Sequence, residues 1–236
     1  MNQPITHWFS IVYDDGFIVS NTKIADIYEQ FGLRASFFII ATGHWPTFKA
    51  PDPWHEGYPK GDFKLWNQLQ ARGHEIMPHG YKHAKKTEMP IAEAQKLITD
   101  CLHIFENELE GFQTQRSVFG FPNNASSPEL EAWLSPQVRA VRSGGPGINP
   151  FPTAQTKRIS THCLGPDNCE ADLDEHIEKW LAQKSGWLVY NGHGLEKEGW
   201  APIGTDYLKR LLQRLTQIPG VGLGTVTQVL DSVGQS

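Results

Sequence analysis

Short apolar runs alternate with amphipathic stretches along the whole chain. Trp8 to Tyr13 reads as a strand, Asn21 to Phe31 as a helix, and Ala35 to Ile40 as a second strand. A helix over Phe63 to Ala71 and a short strand Glu75-Ile76-Met77, stopped at Pro78, follow. The longest helix spans Pro90 to Asn107, where Ile91, Ala94, Leu97, Ile98, Cys101, Leu102, Ile104 and Phe105 recur at three- and four-residue spacing. Further strands are expected at Ser117 to Phe121, Val138 to Val141 and Trp187 to Tyr190, with helices near Ser127 to Leu134 and Ala171 to Gln183. Thr205 can cap a helix that runs to Leu215, and Val221 to Leu223 with Thr225 to Val233 supplies a last strand and helix. Strands and helices that alternate from end to end predict an α/β protein with a parallel sheet. About seven such units in this length favour an irregular, closed or nearly closed (β/α) barrel over a doubly wound sheet. No internal repeat or linker divides residues 1–236, so one domain is expected.

Composition narrows the class. The chain has 236 residues, 39% of them hydrophobic and 20% charged, which is enough apolar material for one sizeable core. A net charge of -5 leaves no basic surface for a polyanion, so no nucleic-acid partner is expected. The longest wholly apolar candidate, Phe37 to Ala41, is far too short to span a membrane. Residues Met1 to His7 do not read as a secretory signal, which makes the cytoplasm the expected location. Cys101, Cys163 and Cys169 are too few for a disulfide framework; a local bridge between Cys163 and Cys169 is conceivable, and reduced thiols are expected. One stretch breaks the rhythm: residues 41–61 form a long irregular segment with four prolines, Trp45, Trp54 and Tyr58. It is either a substrate-facing lid or a surface loop packed on its own aromatics.

The chemistry-bearing residues gather at strand ends. Asp14 and Asp15 close the first strand before Gly16, and two crowded carboxylates suit a site that holds a cation or raises one pKa. His79 and His83 follow the third strand at i, i+4 spacing, so one turn of helix would aim both imidazoles the same way. Two histidines and a carboxylate make a common catalytic zinc set with positions left for water and substrate. His193 ends another strand between two glycines, and Phe119-Gly120-Phe121-Pro122 and Ala140-Val141-Arg142 end two more. Five such motifs belong at the C-terminal rim, where an α/β barrel builds its active site.

These motifs resemble the polysaccharide deacetylase family, also called the NodB-homology or carbohydrate esterase family four deacetylases, over nearly the whole chain. Tyr13-Asp14-Asp15-Gly16 is similar to the family's T-F-D-D-G, His79-x-x-x-His83 to its H-[ST]-x-x-H, and His193 to its catalytic histidine. The resemblance implies an irregular (β/α) barrel and a metal-dependent hydrolase that removes acetyl groups, most often N-acetyl, from a carbohydrate. It implies Asp14 as catalytic base, Asp15, His79 and His83 as ligands of one divalent metal, zinc foremost, and His193 as the acid that protonates the leaving amine. The backbone N–H of Asn123 is the implied oxyanion donor, and Tyr190, Trp45, Trp54 and Trp200 are candidate sugar contacts.

Three positions depart from the family pattern. The Arg of its Arg-x-Pro motif is missing from Gly120-Phe121-Pro122, which leaves Arg142 to steady the base. Gly80 replaces a Ser or Thr, and Asn191 stands where relatives often place a Leu of the acetyl pocket. Asp167, Asp172 and Asp174 are the candidates to orient His193. Two alternatives stay open: an amidase of the same fold acting on a small non-sugar amide, and a weakened relative that binds sugar without turnover. His162, Cys163 and Cys169 are a weaker second metal-site candidate.

Overall fold

The computed structural model describes residues 3–49, 52–166 and 169–233. In chain order the first half comprises β1 (His7–Asp15), α1 (Ile18–Gln30), β2 (Ser36–Ile39), α2 (Phe63–Ala71), β3 (Glu75–Pro78), α3 (Ile91–Glu108) and β4 (Val118–Gly120). The second comprises α4 (Pro128–Leu134), β5 (Ala140–Gly144), β6 (Ile148–Asn149), β7 (Arg158–Thr161), α5 (Cys169–Leu181), β8 (Gly186–Gly192), α6 (Thr205–Thr216), β9 (Val221–Leu223) and α7 (Val226–Ser232).

β1 is the central strand. One edge pairs in parallel with β8 from His7 to Tyr13; the other pairs with β9 over His7 to Phe9 and with β2 over Val12 to Asp15. β3 continues the sheet beyond β2, and β4, β5 and β7 form a second parallel ladder. Asn191 N–H donates to the His162 carbonyl at 2.8 Å and ties the end of β7 to β8. Across the opposite seam the Val118 N–H meets Met77 Sδ at 3.3 Å without a ladder between β3 and β4. The circuit β1-β2-β3-β4-β5-β7-β8 is an irregular (β/α) barrel of seven strands, with β6 and β9 as additions.

Two apolar layers hold it together. Val12, Phe38, Val118, Ala140, Ile159, Trp187 and Val189 fill the barrel, and Val226, Val229 and Leu230 of α7 plug its N-terminal end. The outward faces of the strands pack under α1 to α6 in a larger cluster that includes Trp66, Leu102, Phe105, Trp180 and Leu212. Local signals set several helix starts: Asp62 and Ser127 accept from the N–H groups of Leu65 and Leu130, and Thr225 and Gln228 form a reciprocal capping box.

The pattern missed β6 and β7. β6 has only two residues, and β7 follows Lys157 and starts with the exposed Arg158, so neither presents an apolar run. α1 begins at Ile18, three residues before the expected start, with no side-chain cap to mark it. All three cysteines are free thiols, so Cys163 and Cys169 form no bridge.

Candidate active site and metal centre

Alternation along β1 puts Asp14 on the same face as Val12, into the barrel, where it meets Arg142 from β5. The Arg142 Nη2 donates to Asp14 Oδ1 and Oδ2, each at 2.8 Å, and Arg142 is completely buried. Its other terminal nitrogen, Nη1, donates to Asn124 Oδ1 at 3.1 Å, and Asn124 Nδ2 donates to Asn191 Oδ1 at 3.0 Å. A continuous polar rail thus runs from the carboxylate across β5 to β8. Gly120 explains why Arg142 can replace an arginine on β4: a Cβ there would lie 2.5 Å from Arg142 Nη2. Glycine leaves the room that the guanidinium occupies.

Asp15 leaves extended geometry, with φ of 78°, and Gly16 follows at 82°. The turn brings the second carboxylate to the rim beside the two histidines. Asp15 Oδ1 lies 3.3 Å from His83 Nε2 and 3.7 Å from His79 Nε2, and ligand atoms of the three residues lie mutually within 4.8 Å. Donors about 2.0–2.1 Å from a tetrahedral ion stand about 3.4 Å apart, which these separations approach. Asp15 Oδ1 is buried and accepts no hydrogen bond among the described residues. His79 Nδ1 lies 3.0 Å from the Gly120 carbonyl; a carbonyl only accepts, so Nδ1 carries the proton and Nε2 keeps its lone pair. The residues fit a divalent cation.

The spacing of His79 and His83 works without the helical turn expected for it. Gly80 has φ of 85° and His83 of 55°, so the segment is an irregular loop with a left-handed residue at each end. A Ser or Thr at position 80 would be strained, and its Cβ would stand 2.9 Å from Pro122 Cγ, which accounts for glycine there. Among non-glycine residues, Asp15, His83, Asn123 and Asn124 all hold positive φ at this rim, and strain of that kind concentrates at functional sites.

Charges sort the site further. Burial raises Asp14, Arg142 opposes it, Asp15 adds to it, and the outcome is a pKa of about 6. Burial would raise Asp15 as well, but His83, His55, His193 and His79 outweigh it and hold this carboxyl well below the usual range. Burial pushes His193 down to about 4, so its imidazole is neutral near pH 7.

These residues line one cavity of about 350 Å³ at the C-terminal ends of the strands, with Asp14, Asp15, His79, His83, Asn123 and His193 on its wall. Trp54 and Trp200 stand at its mouth with rings edge to face, 4.6 Å apart. Asn123 has φ of 55°, and the next two N–H groups, of Asn124 and Ala125, donate to the Phe121 and Pro122 carbonyls. A second cavity, of about 370 Å³, opens at the N-terminal ends of β3 to β5 and has no convergent ligand set.

Two sugar-contact candidates lie elsewhere. Tyr190 faces outward under α5, is 2% exposed, and donates its hydroxyl hydrogen to Asp172 Oδ2 at 2.8 Å. Strand alternation is the reason, since Asn191 and His193 take the inner face. Trp45 lies outside the cavity, edge-on to Tyr81 at 6.0 Å. The orienter of His193 is neither of two candidates: Asp172 is engaged by Tyr190 and His162, and Asp174 accepts from the Tyr207 hydroxyl at 3.0 Å. Asp167 lies outside the described residues. His193 Nδ1 is buried without a partner among them.

Sequence reading also passed over Asp52 and His55, which stand beside the metal-ligand set. Asp52 Oδ2 is 3.3 Å from His83 Nδ1, and His55 Nε2 is 3.6 Å from Asp15 Oδ2. A more distant trio, His162, Asp172 and His176, stacks its two imidazoles at 4.1 Å and 20°. Lone pairs in nearly parallel planes do not converge on one ion.

A sequence profile of the polysaccharide deacetylase family matches residues 4–132, more than half of the chain. The chain therefore belongs to the polysaccharide deacetylase family, a class of hydrolases that act on carbohydrates. No curated protein matches the sequence. Solved structures share the fold at low identity. The Xyl-CE4 domain of a multidomain xylanase from the hindgut metagenome of Trinervitermes trinervoides is 14% identical, with 98% of this chain and 93% of that one covered and a TM-score of 0.64. A family 4 acetyl xylan esterase from Clostridium thermocellum, in complex with a cobalt ion, is 15% identical, with 96% and 92% covered and a TM-score of 0.64. The peptidoglycan deacetylase PdaC from Bacillus subtilis is 17% identical, with 99% and 93% covered and a TM-score of 0.56.

Proposed function

We propose that this protein hydrolyses the N-acetyl group of a carbohydrate, using one divalent cation held by Asp15, His79 and His83. Zinc is the ion that best suits two imidazoles and a carboxylate with open positions. When bound, it supplies Lewis acidity to the acetyl carbonyl and lowers the pKa of a water. The observation that carries the reading is the opposition, in one cavity, of a carboxylate locked to a buried arginine and a carboxylate left open to two histidine lone pairs.

Asp14 acts as the base. Arg142 fixes both of its oxygens, and a pKa near 6 leaves it ionised at neutral pH yet basic enough to take a proton from the attacking water. Asn123, on the cavity wall, supplies its backbone N–H to the developing oxyanion. As the C–N bond breaks, His193, neutral before the reaction, relays the proton taken from water to the departing nitrogen. Acetate and a free amino sugar leave, and one water is consumed. A cavity of about 350 Å³ holds one sugar residue and its acetyl arm, and Trp54 at the mouth offers a face for the next ring of a chain.

Acetate release from N-acetylated oligosaccharides by the zinc-loaded protein, beside O-acetylated sugars and small non-sugar amides, tests this reading. Turnover of N-acetylated sugars that stops on chelation and returns with zinc supports it. Turnover confined to non-sugar amides moves the assignment to an amidase, and sugar binding without any turnover to a binding protein.

A further inference from the structure

The 41–61 segment is pinned to the turn that carries the two aspartates. Gly61 N–H donates to the Gly16 carbonyl at 3.0 Å, Ile18 N–H donates to the Pro59 carbonyl at 3.2 Å, and Lys60 Nζ sits 3.8 Å over the Phe17 ring. Within it Pro53–His55 forms one short helical turn, which stacks the His55 ring on Phe17 at 5.9 Å. His55 is therefore buried, 8% exposed, although it belongs to an otherwise open loop. Burying an imidazole at a rim is costly unless its nitrogens have work there.

Both polar groups of this turn address metal ligands from behind. His79 and His83 approach Asp15 at Oδ1, whereas His55 approaches it at Oδ2. Asp52 approaches His83 at Nδ1, while His83 Nε2 faces Asp15. His55 falls outside the set of Asp15, His79 and His83 whose ligand atoms are mutually within 4.8 Å, although Asp52, His55 and His83 meet the same limit as a group of their own; the first set is the wholly buried one and contains the unpartnered Asp15 Oδ1. We propose that Asp52 and His55 are positioning residues of the metal centre: His55 holds Asp15 through Oδ2 and Asp52 holds His83 through Nδ1. This rests on the metal reading of the site.

The chemistry of each contact follows. A proton on His55 Nε2 donates toward Asp15 Oδ2, and the remaining oxygen, Oδ1, is the one free to bind. The Asp52 carboxylate stands 3.3 Å from His83 Nδ1, which has no hydrogen-bond partner among the described residues; turning the imidazole to donate Nδ1–H to Asp52 fixes the tautomer with a lone pair on Nε2 and makes that nitrogen more basic. At 3.6 Å the His55 contact is just beyond hydrogen-bond length, and a shift of about half an ångström completes it. His79 has its outer partner in the Gly120 carbonyl, so two of the three ligands depend on the loop and one on the barrel.

Zinc affinity measured by competition with a chromophoric chelator, together with the visible spectrum of the cobalt-substituted protein, tests this without any substrate. Asp15→Ala is the control for the site itself. The expected results are a roughly 10- to 100-fold loss of zinc affinity in Asp52→Ala and in His55→Phe, which keeps a ring on Phe17, with the melting temperature of the chelated protein unchanged. His55→Gln, whose amide can donate to Oδ2, should recover most of the loss, and the cobalt spectrum should keep its coordination pattern in every loop variant. Wild-type affinity in Asp52→Ala and His55→Phe would overturn the proposal while the metal site stands. A cobalt spectrum that changes in His55→Phe and is not restored by Gln would make His55 a direct ligand instead, and two ions per chain would mark Asp52, His55 and His83 as a second site. If the wild-type protein binds no ion, the metal reading itself fails.

Discussion

Asp14 and Asp15 are neighbours in sequence, 2% and 3% exposed, and share His79, whose Nε2 lies 3.3 Å from Asp14 Oδ2 and 3.7 Å from Asp15 Oδ1, yet their other partners differ in kind. Asp14 lies in regular strand geometry and has both oxygens on a guanidinium, a permanent cation that can only donate. Asp15 sits in the left-handed region among four histidines, and its Oδ1 accepts no hydrogen bond among the described residues. Their pKa values move apart accordingly, Asp14 up to about 6 and Asp15 down below the usual range. The difference teaches that residue type does not decide a carboxylate's task. A fixed donor opposite makes a poised base, whereas imidazoles whose lone pairs converge make a ligand.

The sharpest way to break this comparison is to exchange the two for amides. Asp14→Asn should retain about one zinc per chain and lose about 10²–10⁴-fold in kcat, the range for removing a general base. Asp15→Asn should lose the ion and with it all measurable turnover. Elemental analysis beside single-turnover kinetics checks both. If Asp14→Asn sheds the ion as readily as Asp15→Asn, the two carboxylates form one ligand set and the division of labour is wrong.

How much of this was legible in the sequence divides along the same line. Asp14, Asp15, His79 and His193 were readable because each stands at or just past the end of a strand, where this architecture collects its chemistry, and His83 because its spacing ties it to His79. α2 was readable to the residue, Phe63–Ala71, because apolar spacing and the Asp62 cap agree. Arg142 was a candidate only by default, since nothing local says that its side chain crosses the barrel to β1. Asp52 and His55 carried no signal at all: they lie in a segment without periodicity, and only its anchoring to Phe17 and Gly16 turns them inward. Tyr190 was misplaced although period-two alternation from His193 would have put Asn191 inside and Tyr190 outside. The irregular loop from His79 to His83 was hidden because i, i+4 spacing is equally compatible with a helical turn.

A second prediction sharpens the base side. Arg142→Met leaves the Asp14 carboxylate buried and unpaired, so it should destabilise the fold by about 3–5 kcal/mol at pH 7. Asp14→Asn in the same chain should recover much of that loss, because it removes the uncompensated charge. Urea unfolding of the four members of this cycle measures the coupling. Additive losses would mean that Arg142 stabilises by packing on the Phe38 ring, 4.4 Å from its guanidinium carbon, rather than by holding the base.

The smallest effect is expected on the metal side, where the loop after His83 rests on a buried amine. Lys86 is 1% exposed, and its Nζ donates to the Ala84 carbonyl at 2.8 Å. Burial lowers its pKa from 10.5 to about 8, with Cys101 opposing and Lys82 adding to the shift. The folded state therefore releases this proton near pH 8, while the unfolded chain keeps it to about 10.5. Between those values the unfolded state binds more protons, so this group's contribution to stability rises with pH by up to about 3 kcal/mol, and below pH 8 the penalty is present in full. Lys86→Met removes the penalty and forfeits one hydrogen bond worth about 1 kcal/mol, so the variant should gain about 1–2 kcal/mol at pH 7 and lose the rise between pH 8 and about 10.5. Urea unfolding of the chelated protein at pH 7 and pH 9.5 gives both numbers. A destabilised variant with the rise intact would show that the amine is a strut for the His79 to His83 loop, held there by its bond to Ala84. The metal side would then depend on a buried cation as the base side depends on Arg142.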